Sequence, residues 1–144
     1  MKKIEKYLLW SICGGIFLLL LMPFVVMDSL YFPFVAGKGF YFRVIVEIIA
    51  ALYIVLIAVN PVWRPKKNIL YWVFGSTLLF LFVSNMLSPN SQKSFFSNFE
   101  RMEGYINIVH LVLLFTVAHS VILSKKLWDA ILMSSLGVSI LVSV

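Results

Sequence analysis

Residues 68–92 read NILYWVFGSTLLFLFVSNMLSPNSQ, twenty-five positions without one charged side chain. About 20 residues at about 1.5 Å each cross a hydrocarbon core of about 30 Å. The stretch therefore reads as a transmembrane helix over residues 69–87, and the rest of the chain repeats its character. Residues 7–27 are apolar and uncharged until the acid at position 28, after a short basic start of Lys2, Lys3 and Lys6. A second segment covers 44–59 and holds one charge, Glu47; a fourth runs over 104–124; a fifth begins near 127 and is still apolar at Val144. From Ala130 that last run is about 22 Å of helix, short for a full crossing, so the expectation is a span cut off before its polar flank.

Composition agrees with this reading. Of 144 residues, 62% are hydrophobic and 12% charged, with a mean hydropathy of +1.00. A soluble domain of this size could not hide so much apolar surface. The formal net charge of +6 invites a nucleic-acid partner, but the basic residues stand in small groups between the spans. That is the arrangement of a membrane protein obeying the positive-inside rule, so no nucleic acid is expected. The first segment is too long for a cleaved signal peptide and lacks a small-residue cleavage site, so it reads as an anchor. Cys13, the single cysteine, has no disulfide partner and reads as a packing residue.

The expected fold is therefore all-α: one polytopic integral membrane bundle, residues 1–144, with about five transmembrane helices. Loop charges orient it. With the N-terminus in the cytoplasm, Lys2, Lys3, Lys6, Arg64, Lys66, Lys67, Lys125 and Lys126 lie inside, against Lys38, Arg43, Lys93 and Arg101 outside. That imbalance favours N-in. Outer loops then fall near 28–43 and 88–103, inner ones near 60–68 and 124–127. Trp10, Trp63, Trp72 and Trp128 mark the inner boundary, and Pro61 and Pro65 end the second segment.

The outer loops carry the chemistry. SFFSNFERMEG, residues 94–104, puts aromatics at headgroup depth beside Glu100, Arg101 and Glu103. Arginine offers a planar fork for phosphate or carboxylate. At about 100° per residue, Glu103, Asn107 and His110 would form one narrow stripe on the fourth segment. Polar groups in a span are costly unless they face other helices or water, so the stripe should face inward. Arg43 and Glu47, four residues apart, can pair along their helix, leaving Glu47 about one turn inside the membrane. Asn85 is a further candidate for the same intramembrane cluster. His119 lies about half a revolution from His110, so the two cannot share a metal. No phosphate-binding glycine loop, zinc spacing, nucleophile elbow or carboxylate dyad is present. The residues call for no metal and no cofactor, and no catalytic residue can be named.

YFPFVAGKGFYFRVIVEI (residues 31–48) and NSQKSFFSNFERMEGYINIVHL (residues 90–111) resemble the N-terminal part of bacterial O-antigen ligase and O-antigen polymerase proteins. Members of that family have about a dozen transmembrane helices and a large periplasmic loop in their second half. They transfer a glycan from an undecaprenyl-diphosphate carrier to an acceptor such as lipid A core. The resemblance implies a multi-pass protein of the bacterial inner membrane, with membrane lipid and an undecaprenyl-diphosphate-linked glycan as partners. It implies a donor-facing mouth at Arg101 and Glu103, to which Arg43, a cation of the other outer loop, is added. The family's catalytic histidine belongs to the later half, and His110 is not its counterpart. Two other classes fit the same residues: a transporter or channel fragment with Glu47, Asn107 and His110 along its path, and a small non-catalytic assembly subunit.

Overall fold

The structure is a computed structural model that describes residues 3–27, 32, 35–98 and 103–143. It is helical, with no strand among the described residues. The helices are α1 Lys3–Leu20, α2 Ala36–Val59, α3 Ile69–Met86, α4 Ser91–Phe96, α5 Tyr105–Val121 and α6 Lys125–Ser143. Three of them, α2, α3 and α6, are long and apolar enough to cross a membrane. α5 is equally apolar but has 17 residues, about 25 Å. α1 carries Lys3, Glu5 and Lys6 within its 18 residues. The described residues are helical, and three of the five expected spans meet the full requirement of length and apolarity for crossing a membrane.

Two bounds differ from the sequence reading for physical reasons. α2 starts at Ala36, two turns before the expected boundary, since no proline interrupts residues 36–43 and the helix runs through Lys38 and Arg43. Both cations therefore sit on a helix rather than in a loop. α6 starts at Lys125, so it has 19 residues rather than 15; helix geometry does not stop at a charged pair.

Short asparagine caps punctuate the chain. Asn60 accepts from the Val62 amide at 3.1 Å, just before Pro61 opens a single 3-10 turn, and Asn68 accepts from Leu70 at 3.2 Å to start α3. Each satisfies an amide that a helix start leaves without a partner. Within the spans, Thr77, Thr116 and Ser120 hydroxyls donate to carbonyls one turn back at 2.8 Å, which removes their cost in an apolar medium.

The core lies where α1, α2 and α5 meet. Ile12, Ile16, Ile49, Tyr53, Leu56, Val117, Val121 and Ile122 form one buried cluster. Gly15 lets α1 approach closely, since a Cβ there would stand 2.7 Å from Ile49 Cγ1. α3 and α6 contribute no buried residue and pack at the edges. The end of the bundle holding the start of α1 and the end of α2 is pinned by a buried carboxylate. Glu5 Oε1 accepts from Trp63 Nε1 at 2.7 Å and from Asn60 Nδ2 at 3.0 Å. Tyr53 adds a 2.9 Å bond from its hydroxyl to the Trp63 carbonyl. At the opposite end the Tyr41 hydroxyl donates to the Leu18 carbonyl at 2.8 Å, so α1 and α2 are tied at both ends.

Candidate functional site

Glu47 and His110 meet between α2 and α5, with His110 Nε2 3.2 Å from Glu47 Oε1. The other ring nitrogen, Nδ1, lies 2.7 Å from the Ile106 carbonyl oxygen one turn back. His110 is buried at 8% exposure. The Glu47 side chain keeps 67% of its surface and lies at the rim of the seam.

Glu47 is twelve residues from the end of α2 at Val59, and His110 is eleven from the end of α5 at Val121, about 18 Å and about 16.5 Å of helix. The structure corrects the expected pairing. The ion pair found among the described residues joins Glu47 to His110, because a neighbouring helix brings an imidazole to the carboxylate that Arg43 was expected to meet. Arg43 is half-buried on α2, one turn from Glu47 toward Ala36.

The remaining expected members of the cluster divide. Asn107 is half-buried, three residues from His110 on α5. Glu103 is exposed and lies before α5, because Gly104, extended at φ −72° and ψ −174°, caps that helix. Helical periodicity therefore does not reach Glu103, and the three-residue stripe shortens to Asn107 and His110. Asn85 belongs elsewhere: its Oδ1 accepts from the Ser94 hydroxyl, tying α3 to α4. Arg101, like Glu100, lies outside the described residues. His119 is exposed near the other end of α5, stacked on Phe115 at 5.7 Å and meeting the edge of Tyr71 at 6.0 Å.

The described part of the connection between α3 and α5 is packed against both helices. α4 starts on an Asn90 cap, whose Oδ1 accepts from Lys93 N at 3.4 Å. Phe95 of α4 packs edge-on against Phe82 of α3 at 5.9 Å and Tyr105 of α5 at 5.4 Å. Such aromatic pairs each contribute about 0.5–1.5 kcal/mol beyond their buried area. Gly104 is buried against the Phe95 and Phe96 backbone, where a side chain has no room. Ser97, which ends α4, adopts φ 63° and ψ −169°. That region belongs almost wholly to glycine, and a non-glycine residue there costs about 1–3 kcal/mol.

The chain matches no known protein family, no curated protein and no solved structure. Among the described residues, no three of His, Cys, Asp and Glu gather as a metal set.

Sequence reasoning missed the knot of Glu5, Asn60 and Trp63. Its signal was a lone acid inside a basic N-terminal segment, opposite an Asn-Pro at the end of the next span. The sequence holds both features, but not their contact across 55 positions.

Proposed function

We propose that this chain forms the membrane portion of a glycan transferase of the O-antigen ligase and polymerase type. It holds an undecaprenyl-diphosphate-linked donor at the outer face of the bacterial inner membrane, and its N-terminus is cytoplasmic. The observation that supports this reading is the clamped connection at the α4 end. Asn85 with Ser94, the Phe82, Phe95 and Tyr105 rings, and Gly104 fix both ends of the stretch that contains Arg101. Catalysis on a membrane-held donor consists largely of positioning and charge stabilisation, and an arginine fork suits a diphosphate. Arg43 and exposed Glu103 flank the same end of the bundle.

The test is donor capture in bilayers by a photo-crosslinking residue at position 103. Arg101→Ala is expected to reduce capture of an undecaprenyl-diphosphate-linked glycan ten- to a hundred-fold, the effect of about 1.5–3 kcal/mol for a charge-assisted contact. Lys93→Ala should cost less. Equal, small effects at both positions would leave the loop as an interfacial anchor and sink the proposal. Cysteines at Lys38 and Ser91 should label from outside the cell, in a chain lacking Cys13. A second reading, helices lining a transport pathway, gains from the Glu47–His110 pair, since ionisable residues on membrane helices mark such pathways. It predicts solute flux that depends on Glu47 and no glycan capture at position 103.

A further inference from the structure

The geometry points to Glu47 and His110 as a proton-binding site: one proton, held between Nε2 and Oε1, joins α2 to α5 within the membrane. The inference starts from His110 Nδ1. It lies 2.7 Å from the Ile106 carbonyl oxygen, which can only accept, so Nδ1 carries a hydrogen and donates it. Turning the ring over would place carbon atoms where both nitrogens now make contact, and would lose both bonds. With Nδ1 protonated, a neutral imidazole presents a lone pair at Nε2. That lone pair would face Glu47 Oε1 at 3.2 Å, acceptor against acceptor. A hydrogen bond at this place therefore needs one more proton than a neutral histidine and an ionised glutamate supply.

The proton has two positions. On Nε2 it makes His110 an imidazolium that donates to the Glu47 carboxylate. Moved along the line to Oε1, it breaks the Nε2–H bond, whose electron pair stays on nitrogen as a lone pair, and leaves a neutral acid donating to a neutral ring. Both forms carry no net charge. Release of the proton to water leaves a carboxylate facing a nitrogen lone pair, with a net charge of −1.

His110 is buried between α2 and α5, and the Glu47 side chain is 67% exposed at the rim of the seam. An uncompensated charge on apolar membrane helices is costly, whereas a neutral pair is much less so. The charged and titratable neighbours are few. On α2 Arg43 stands one turn away, and Tyr41 and Tyr53, six residues to either side, are engaged with the Leu18 and Trp63 carbonyls. On α5 the neighbours are Tyr105, Asn107 and His119, and Glu103 lies just before that helix. α1 has no charged residue beyond Lys6, only Tyr7 and Cys13 as titratable groups, and α3 has only Tyr71. The site is independent of whether the bundle serves a transferase or a pathway.

The test uses the full chain in lipid bilayers at neutral pH. His119→Gln leaves His110 as the one histidine, and nitrogen-15 labelling of its ring reports which nitrogens carry hydrogen. Infrared difference spectra against Glu47→Gln report whether Glu47 is acid or carboxylate. The expected result is one of two: both ring nitrogens protonated beside a carboxylate, or Nδ1 protonated beside a carboxylic acid. In Glu47→Gln the carboxyl signal and the extra proton should both be lost, leaving a neutral ring protonated on Nδ1. A neutral ring beside a carboxylate, or a neutral ring protonated on Nε2, would overturn the inference. Should Glu47→Gln fail to insert, the nitrogen spectrum and a carbon-13 glutamate spectrum of the otherwise native chain decide alone.

Discussion

Replacing Gly104 by alanine tests whether the clamped connection is as tight as its geometry implies. A Cβ at this position would collide with the Phe95 carbonyl oxygen and stand 2.6 Å from the Phe95 carbonyl carbon and 2.7 Å from that of Phe96. Ordinary van der Waals contact begins at 3.4 Å, so the carbon contact alone requires an opening of 3.4 minus 2.6, about 0.8 Å, and the oxygen requires more. The obstacles are backbone atoms, which cannot rotate away as a side-chain tip would. Opening the junction also draws Phe95 away from Tyr105, 5.4 Å between ring centres. Overpacking of this kind costs about 1–3 kcal/mol. Local opening faster by the same free energy corresponds to about 5- to 150-fold. The assay is hydrogen exchange of the α4 amides in bilayers, with Gly137→Ala as control, since nothing lies within 4 Å of a Cβ there. Exchange within twofold of the native chain in Gly104→Ala would refute the reasoning and show that α4 is not held by this contact.

Two further substitutions separate strain from close approach. Ser97→Gly should slow exchange in α4, because relief of about 1–3 kcal/mol of backbone strain exceeds the added chain entropy of glycine, about 0.5–1 kcal/mol; faster exchange would show that Ser97 is not strained. Gly15→Ala should destabilise the contact of α1 with α2, since its Cβ would meet the buried Ile49 side chain at 2.7 Å, whereas Gly14→Ala meets nothing within 4 Å and should stabilise by up to about 1 kcal/mol through helix propensity. Thermal unfolding in one detergent orders the two variants, and equal midpoints would refute the packing account.

How much of this was legible beforehand follows from the range of the forces involved. The run 68–92 carries no charge, and a chain that must satisfy its own backbone in an apolar medium has few options besides helix. Membrane class, helical content and the asparagine and proline stops are local properties of that kind. Position along a helix is local too, yet the reading that began the second span at 44 lost two turns. Charged and glycine residues at 36–43 lower apolarity without ending a helix.

Partner choice is not local. Arg43, four residues from Glu47, was the natural partner by spacing, and in the structure the carboxylate meets His110, sixty-three positions away. That choice depends on α2 and α5 lying side by side over the Ile49, Leu56 and Val117 core, which apolar runs of similar composition cannot specify. Asn85 was drawn to Ser94 for the same reason: α4 folds back beside the end of α3 and presents its hydroxyl there. Glu103 left the polar stripe because Gly104 interrupts the helical register. The amino-acid sequence by itself determined that these helices form and which medium they suit. The tertiary structure alone decided which polar groups meet, because a buried polar group takes whatever partner the packing of apolar faces delivers.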